Sequence, residues 1–304
     1  MVTGLKTEKT DKMKKYKQNT EAERGKKDRI NRIILGVEVS STSKTEVLRK
    51  IEEKCNENVY NKPLFIVTAY SEFFIEAETD KEFAAALNKA DLVLPDGVSV
   101  PAALDYLRLA EGKQLMGKLI TGLQVGGRVL RGKYAGKVVT GVGLTRELLE
   151  TGNKNKWRVF LLGGFGNVAE RLTDKLKQNY PGLCLGWDRA GENNEEIRQR
   201  SREIVIKTEK FKPDLLLVAM GRYKQEKWIA EHLSGLGAKV VMGVGSSFDE
   251  LLGEGKWAAK PPGWVEQSGL KWLWRVGRDP KHLKRAWRAF PLFTWKVFRR
   301  SLIG

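Results

Sequence analysis

Ala90-Asp91-Leu92-Val93-Leu94-Pro95-Asp96-Gly97 decides how this chain is read. Leu92 to Leu94 is a short apolar run bounded by turn-formers, the pattern of a strand buried on both faces. Pro95 has no N–H for a ladder and Gly97 accepts turn geometry, so the strand ends there. Asp96 therefore lands just past the carboxyl end of a strand. In open α/β sheets ligands bind along that edge. A carboxylate held there can take a proton from a substrate hydroxyl. Asp is also a favoured N-cap, so the competing use of Asp96 is to cap the helix that follows.

The same grammar repeats on either side. Strands are predicted at Ile33 to Val39, Leu64 to Val67, Trp157 to Leu162, Leu183 to Trp187, Asp214 to Ala219 and Lys239 to Gly243. Helices are predicted at Lys44 to Asn56 with Ser43 as cap, Glu72 to Glu78, Lys81 to Asn88 with Asp80 as cap, and Val100 to Ala110. Further helices are predicted at Val168 to Asn179, Glu195 to Lys210 and Lys224 to Leu233. Alternation of this kind predicts an α/β fold, a mostly parallel Rossmann-like sheet with helices on both faces. Residues 112 to 136 break the rhythm, with glycines at 112, 117, 122, 126 and 127 among apolar and basic residues. They read as a mobile loop or a short amphipathic helical insert, lying on a membrane or packed on the domain.

Composition narrows the function classes. A chain of 304 residues, 41% hydrophobic, can bury a sizeable core. Two cysteines far apart, Cys55 and Cys184, make no disulfide framework and point to a reducing cytosol. No H-x-E, C-x-x-C or D-x-D spacing occurs, so neither a metal nor a cofactor is expected. No apolar run reaches the ~18 residues of a membrane span. Residues 1 to 29 are polar and Lys-rich, a disordered basic arm by composition.

The formal charge of +18 is uneven. Residues 256 to 304 carry six lysines and six arginines against Glu266 and Asp279, and hold six of the nine tryptophans. Basic residues mixed with Trp suggest a helical appendage lying on an anionic membrane. Nucleic acid is the rival partner for a basic patch. Trp prefers the headgroup interface, so the membrane is favoured and no nucleic acid is expected. The expected organisation is an arm (1–29), an α/β domain (30–255) and a basic appendage (256–304), the whole cytoplasmic and peripheral on the inner membrane face.

Other strand ends carry unusual residues. Val67-Thr68-Ala69-Tyr70-Ser71-Glu72 places Thr68 and Ser71 to cap a helix or bond a sugar. Leu161-Leu162-Gly163-Gly164-Phe165-Gly166 offers glycines that let a diphosphate approach the backbone, or merely make a tight turn. Met220-Gly221-Arg222-Tyr223-Lys224-Gln225 ends a strand and starts a polar helix, with Gln225 expected to face the Asp96 crevice. Gly243-Val244-Gly245-Ser246-Ser247-Phe248-Asp249 sets Phe248 to stack on a base and Asp249 to accept from a base N–H, or both to cap and pack.

Taken in order, these motifs resemble the WecG/TagA/CpsF glycosyltransferases over roughly Ile33 to Trp287, the tail Gly269-Leu270-Lys271-Trp272-Leu273-Trp274-Arg275 included. The resemblance implies transfer of N-acetylmannosamine, or a related sugar, from UDP to polyprenyl-diphosphate-linked N-acetylglucosamine. It implies inversion without a metal and an appendage that docks on the membrane and completes the site. It assigns catalysis to Asp96, Gln225, Arg275 and Arg285, and the nucleotide to Gly163, Gly164, Gly221, Lys224, Gly245, Phe248 and Asp249. Substrate contacts fall on Thr68, Tyr70, Lys137 and Thr140. Copies of the chain can self-associate in such families. Three positions depart from the pattern: Tyr70 replaces an Asn, Val138 to Gly143 lacks an Arg and an Asp, and His282 replaces an Arg. A binding module that has lost catalysis is the alternative that these departures support. A nucleic-acid protein is supported by charge alone.

Overall fold

A computed structural model describes residues 33–40, 42–254, 277 and 287–303. The basic arm and most of the appendage, with Arg275, His282 and Arg285, lie outside the described residues. The architecture is a six-stranded parallel sheet with helices on both faces, as alternation predicts.

The chain enters through β1 (Ile33–Ile34) and β2 (Val37–Glu38), an antiparallel hairpin. This corrects the single strand expected over Ile33 to Val39. Leu35 and Gly36 both have positive φ (48° and 87°), and two such residues in succession make a hairpin turn. Then follow α1 (Lys44–Asn56), β3 (Leu64–Ala69), α2 (Ser71–Thr79), α3 (Lys81–Lys89), β4 (Leu92–Pro95) and α4 (Ser99–Ala110). Ser43 caps α1 through the Glu46 N–H and Asp80 caps α3 through the Phe83 N–H, as expected.

The glycine-rich segment is a helix, α5 (Leu115–Leu130), not a loop. Next come α6 (Gly141–Asn155), β5 (Arg158–Gly163), α7 (Val168–Asn179), β6 (Cys184–Asp188), α8 (Asn194–Phe211) and β7 (Leu215–Ala219). The domain closes with α9 (Lys224–His232), β8 (Val240–Gly243) and α10 (Ser247–Leu252). In the appendage, a turn of π-helix at Arg288–Leu292, containing Pro291, leads into α11 (Phe293–Ile303).

The strand order is β4-β3-β8-β7-β5-β6. The side chains of each strand alternate between two cores. Phe65, Val67, Phe160, Leu216 and Val241 point to the face covered by α2, α3, α4 and α9. Ile66, Leu94, Leu161, Leu217 and Met242 point to the face covered by α1, α6, α7 and α10. Burial on both faces is why these strands read as continuous apolar runs. α11 joins the first core through Phe293 and Val297. Arg288 and Lys296 tie the same segment to Glu76 (2.9 Å) and Glu78 (2.5 Å) on α2.

Candidate active site

All parallel strands point their carboxyl ends the same way, so the loops after β3, β4, β5, β7 and β8 share one edge. Asp96 follows β4 directly. Its N–H continues the ladder by donating to the Ala69 carbonyl (2.9 Å), which fixes the backbone at the strand end. The helix that follows is not the one it caps: α4 starts from Val98 with no side-chain cap. Asp96 Oδ2 instead accepts a long hydrogen bond (3.4 Å) from the Gly141 N–H, the first residue of α6. Val139 brings that helix into place by donating to the Pro95 carbonyl (2.9 Å). A carboxylate at a helix N-terminus gains about 0.3–1 kcal/mol from the aligned peptide dipoles. The side chain remains partly exposed at the sheet edge.

Gly141 is a close-approach glycine. A Cβ there would lie 3.0 Å from Thr68 Oγ1 and 3.7 Å from Ser247 Oγ. Asp96, Thr68 and Ser247, from three neighbouring strand ends, thus meet around one helix N-terminus. Thr140 caps α6 by accepting from the Gly143 N–H (3.2 Å). Lys137 sits in the short turn before it, exposed, its ammonium 5.7 Å from the centre of the Tyr134 ring. Neither Thr68 nor Ser71 caps α2; its N-cap is Tyr70, without a side-chain cap bond.

Tyr70 packs edge-on against Phe73 (4.7 Å) and hydrogen-bonds Arg222. Arg222 Nη1 also donates to Glu72 Oε2 (3.1 Å). Burial alone would lower the Arg222 guanidinium, but the Tyr70 bond and the Glu72 charge outweigh it and raise its pKa. A fixed cation therefore stands at the end of β7. In the sequence, the signal for Arg222 is its place directly after the strand-ending Gly221. Gly221 (φ 86°) and Tyr223 (φ 68°) both adopt positive φ. For a bulky residue such as Tyr223 that is strained backbone, a feature that clusters at functional sites.

Gln225 lies in the first turn of α9 but is buried. Its Oε1 accepts from the Gly245 N–H (3.1 Å) and its Nε2 donates to Glu226 Oε1 (2.7 Å). The amide therefore pins the loop after β8 to α9, and that loop leads into Ser247, the first residue of α10. Gly243 is required because a Cβ would come within 2.8 Å of both Gln225 and Glu226. Glu226 is fully buried and its Oε2 has no hydrogen-bond partner among the described residues. Burial pushes its carboxyl up to about 7, against the lowering effect of the Gln225 bond.

Two of the groups expected to meet the nucleotide are engaged within the protein. Phe248 is 1% exposed and belongs to the core beneath α10, so its ring offers no face to a base. The Gly164 N–H donates to the Ala219 carbonyl (2.8 Å), so that donor is not aimed at a diphosphate. The glycines serve close packing instead: a Cβ on Gly163 (φ 98°) would lie 2.6 Å from the same carbonyl. Both still line a shallow pocket at the sheet edge with Lys224 and Arg189. Asp249 opens α10 half-buried, its carboxyl raised first by burial and then by Glu254.

Among the described residues no helix is long and apolar enough to cross a membrane. Residues 32–121 and 121–304 match the glycosyl transferase WecG/TagA/CpsF family. The chain is similar to "N-acetylglucosaminyldiphosphoundecaprenol N-acetyl-beta-D-mannosaminyltransferase" of Staphylococcus aureus strain MRSA252, 29% identical over 87% of this chain and 91% of that protein. The proteins of the same description from strains MW2 and N315 are each 28% identical over the same shares. With a parallel α/β sheet, a helical C-terminal segment and a family match over nearly its whole length, this chain belongs to the WecG/TagA/CpsF family and is a glycosyltransferase.

Proposed function

We propose that the protein transfers N-acetylmannosamine, or a related sugar, from UDP to N-acetylglucosamine carried on a polyprenyl diphosphate, for wall teichoic acid or other cell-surface polysaccharide. The observation that carries the reading is Asp96, held at the carboxyl edge of the sheet by its own ladder bond and by the N-terminus of α6. The description shared by the S. aureus relatives supplies the sugars and the lipid carrier.

In this mechanism Asp96 accepts the proton of the acceptor hydroxyl. The oxygen attacks the anomeric carbon from the face opposite UDP, the bond from that carbon to the diphosphate breaks, and the configuration inverts. General-base help of this kind contributes typically ~10²–10⁴ in rate. The charge that develops on UDP is met by the protein's own cations, since the sequence has no Asp-x-Asp metal clamp. Lys224 at the sheet-edge pocket and Arg222 beyond β7 are two. Arg275 and Arg285, from the appendage, add charge-assisted hydrogen bonds. Thr68 and Tyr70 face the sugars with Lys137 and Thr140, and Gln225 positions the loop after β8. Residues 256–304 hold the enzyme on the cytoplasmic face of the membrane, where the lipid acceptor is found.

The test is UDP release from UDP-N-acetylmannosamine with a short-chain lipid-diphosphate N-acetylglucosamine acceptor, with EDTA present. Acceptor-dependent release that persists in EDTA and vanishes in Asp96→Asn is expected. Release only with a different UDP-sugar would move the donor assignment. UDP binding without turnover of any UDP-sugar would overturn the reading in favour of a binding module.

A further inference from the structure

α5 is inverted relative to an ordinary surface helix. Its buried positions are Thr121 and Val125, with Gly122 against the Tyr106 ring. Its large aliphatic residues, Leu115, Met116, Leu119, Ile120, Leu123 and Leu130, are all exposed, Leu123 at 79% and Leu130 at 70%. At 100° per residue these six fall within an arc of roughly 140°, one continuous stripe. A cluster of this kind marks an interaction surface, whereas scattered exposed apolar residues do not.

The surroundings select the occupant. Between Glu111 and Glu147 there is no acidic residue, while Lys113, Lys118, Arg128, Arg131, Lys133 and Lys137 lie in or beside the helix. Lys113 precedes the stripe and Arg131 and Lys133 follow it, so cations flank an uncharged apolar face. The end of α11 lies alongside: Tyr106 Oη and Ser301 Oγ are 3.0 Å apart, and Lys118 donates to the Ser301 carbonyl. α11 adds exposed Leu302 and Ile303 together with Arg299 and Arg300, and no acid. A wide apolar stripe with cations at its margins fits a helix lying in the headgroup region of an anionic bilayer. A protein partner for such a face would need acidic residues around an apolar groove; the lipid surface supplies both features without further specification.

We propose that α5 is a membrane-contacting element in its own right, inserting its Leu/Met/Ile stripe into the surface of an anionic bilayer beside α11. This extends attachment beyond residues 256–304 and holds whether or not the proposed reaction is right. The test therefore uses the full-length protein and bare vesicles, without donor or acceptor. Partition is measured on phosphatidylglycerol/phosphatidylcholine vesicles for the native chain and for Leu119→Gln/Leu123→Gln. Both sites are exposed, so the thermal midpoint serves as the check that the variant folds. A loss of vesicle partition of at least about tenfold is expected. In a Cys184→Ser, Leu123→Cys protein, an NBD label at position 123 should brighten and shift to the blue on the same vesicles, and less on pure phosphatidylcholine. Unchanged partition together with an unresponsive label would overturn the proposal. So would a label that responds to protein concentration instead of lipid, with the double variant turning an oligomer into a monomer; the stripe would then be an interface between copies.

Discussion

The two halves of the sheet edge hold their carboxylates in opposite ways. On the β3/β4 side, Asp96 is partly exposed and bonded to one helix N-terminus, whose first residue also lies against the hydroxyls of Thr68 and Ser247. On the β7/β8 side, Glu226 is fully buried and bonded to the neighbouring Gln225, with one oxygen unpartnered among the described residues. The first arrangement presents a carboxylate to the outside at the sheet edge. The second uses a carboxyl as part of the scaffold that sets the loop beyond β8. A carboxyl beside the candidate site is thus open to chemistry or confined to support according to whether anything outside the protein can reach it.

The comparison breaks first at Asp96. Asp96→Asn preserves shape and should cost ~10²–10⁴ in kcat, read as UDP release, while the thermal midpoint moves by only a few degrees. Near-normal turnover would take Asp96 out of the role of base.

Glu226 should fail in the other sense, through stability and pH. Its carboxyl is raised from 4.5 to about 7 in the folded state. Below pH 4.5 both folded and unfolded states are protonated and the full stability is present. As pH rises toward 7 the unfolded state ionises first, so stability is lost across that window and levels off above it. The loss is on the order of 3 kcal/mol. Urea midpoints at pH 5 and pH 8 should therefore differ in the native protein, and Glu226→Gln should remove most of the difference.

Gln225 sharpens the boundary between the two halves. Gln225→Leu leaves the Gly245 N–H without its acceptor and should cost about 1–3 kcal/mol of stability. If Gln225 acts by positioning the loop, KM for donor should rise more than kcat falls. A collapse of kcat at unchanged KM would instead put its amide on the reacting groups.

The smallest expected effect is at Gly141. Gly141→Ala removes backbone freedom from the unfolded chain, worth roughly 0.4–1 kcal/mol, but presses a Cβ against Thr68, displacing the α6 N-terminus by a few tenths of an ångström. Turnover should fall about tenfold, short of the ~10² that a 1 Å misplacement can cost. Stability rising while activity falls would tie the site to this close approach.

Much of the fold was legible because buried parallel strands leave a local trace. Leu92–Pro95 and Leu215–Ala219 are short apolar runs closed by Pro or Gly, and both are strands as expected. Caps at Ser43 and Asp80 were legible for the same reason, since capping is decided within three or four residues. Alternation passed over α6, whose glycines at 141, 143 and 152 depress helix propensity; its capping Thr140 and its Leu144, Leu148 and Leu149 were the signal. The hairpin at Leu35-Gly36 was misread because an apolar run continues through its turn. At the site, the position of Asp96 past a strand end was readable, whereas the Ala219 carbonyl against which Gly163 and Gly164 pack comes from a distant strand and was not.

The parallel α/β layering, the strand ends that form the candidate site, the basic Trp-rich tail and, through ordered motifs, the family are all legible in the order of residues. Packing in three dimensions was needed to show that Asp96 meets the N-terminus of α6, that Gln225 bonds a loop, that Phe248 is core and that α5 turns its aliphatic face outward. Strand and cap formation depend on neighbours along the chain, whose identities the sequence states. Side-chain partners and burial depend on which distant segments pack together, as with Gly141 reaching Asp96 across 45 residues.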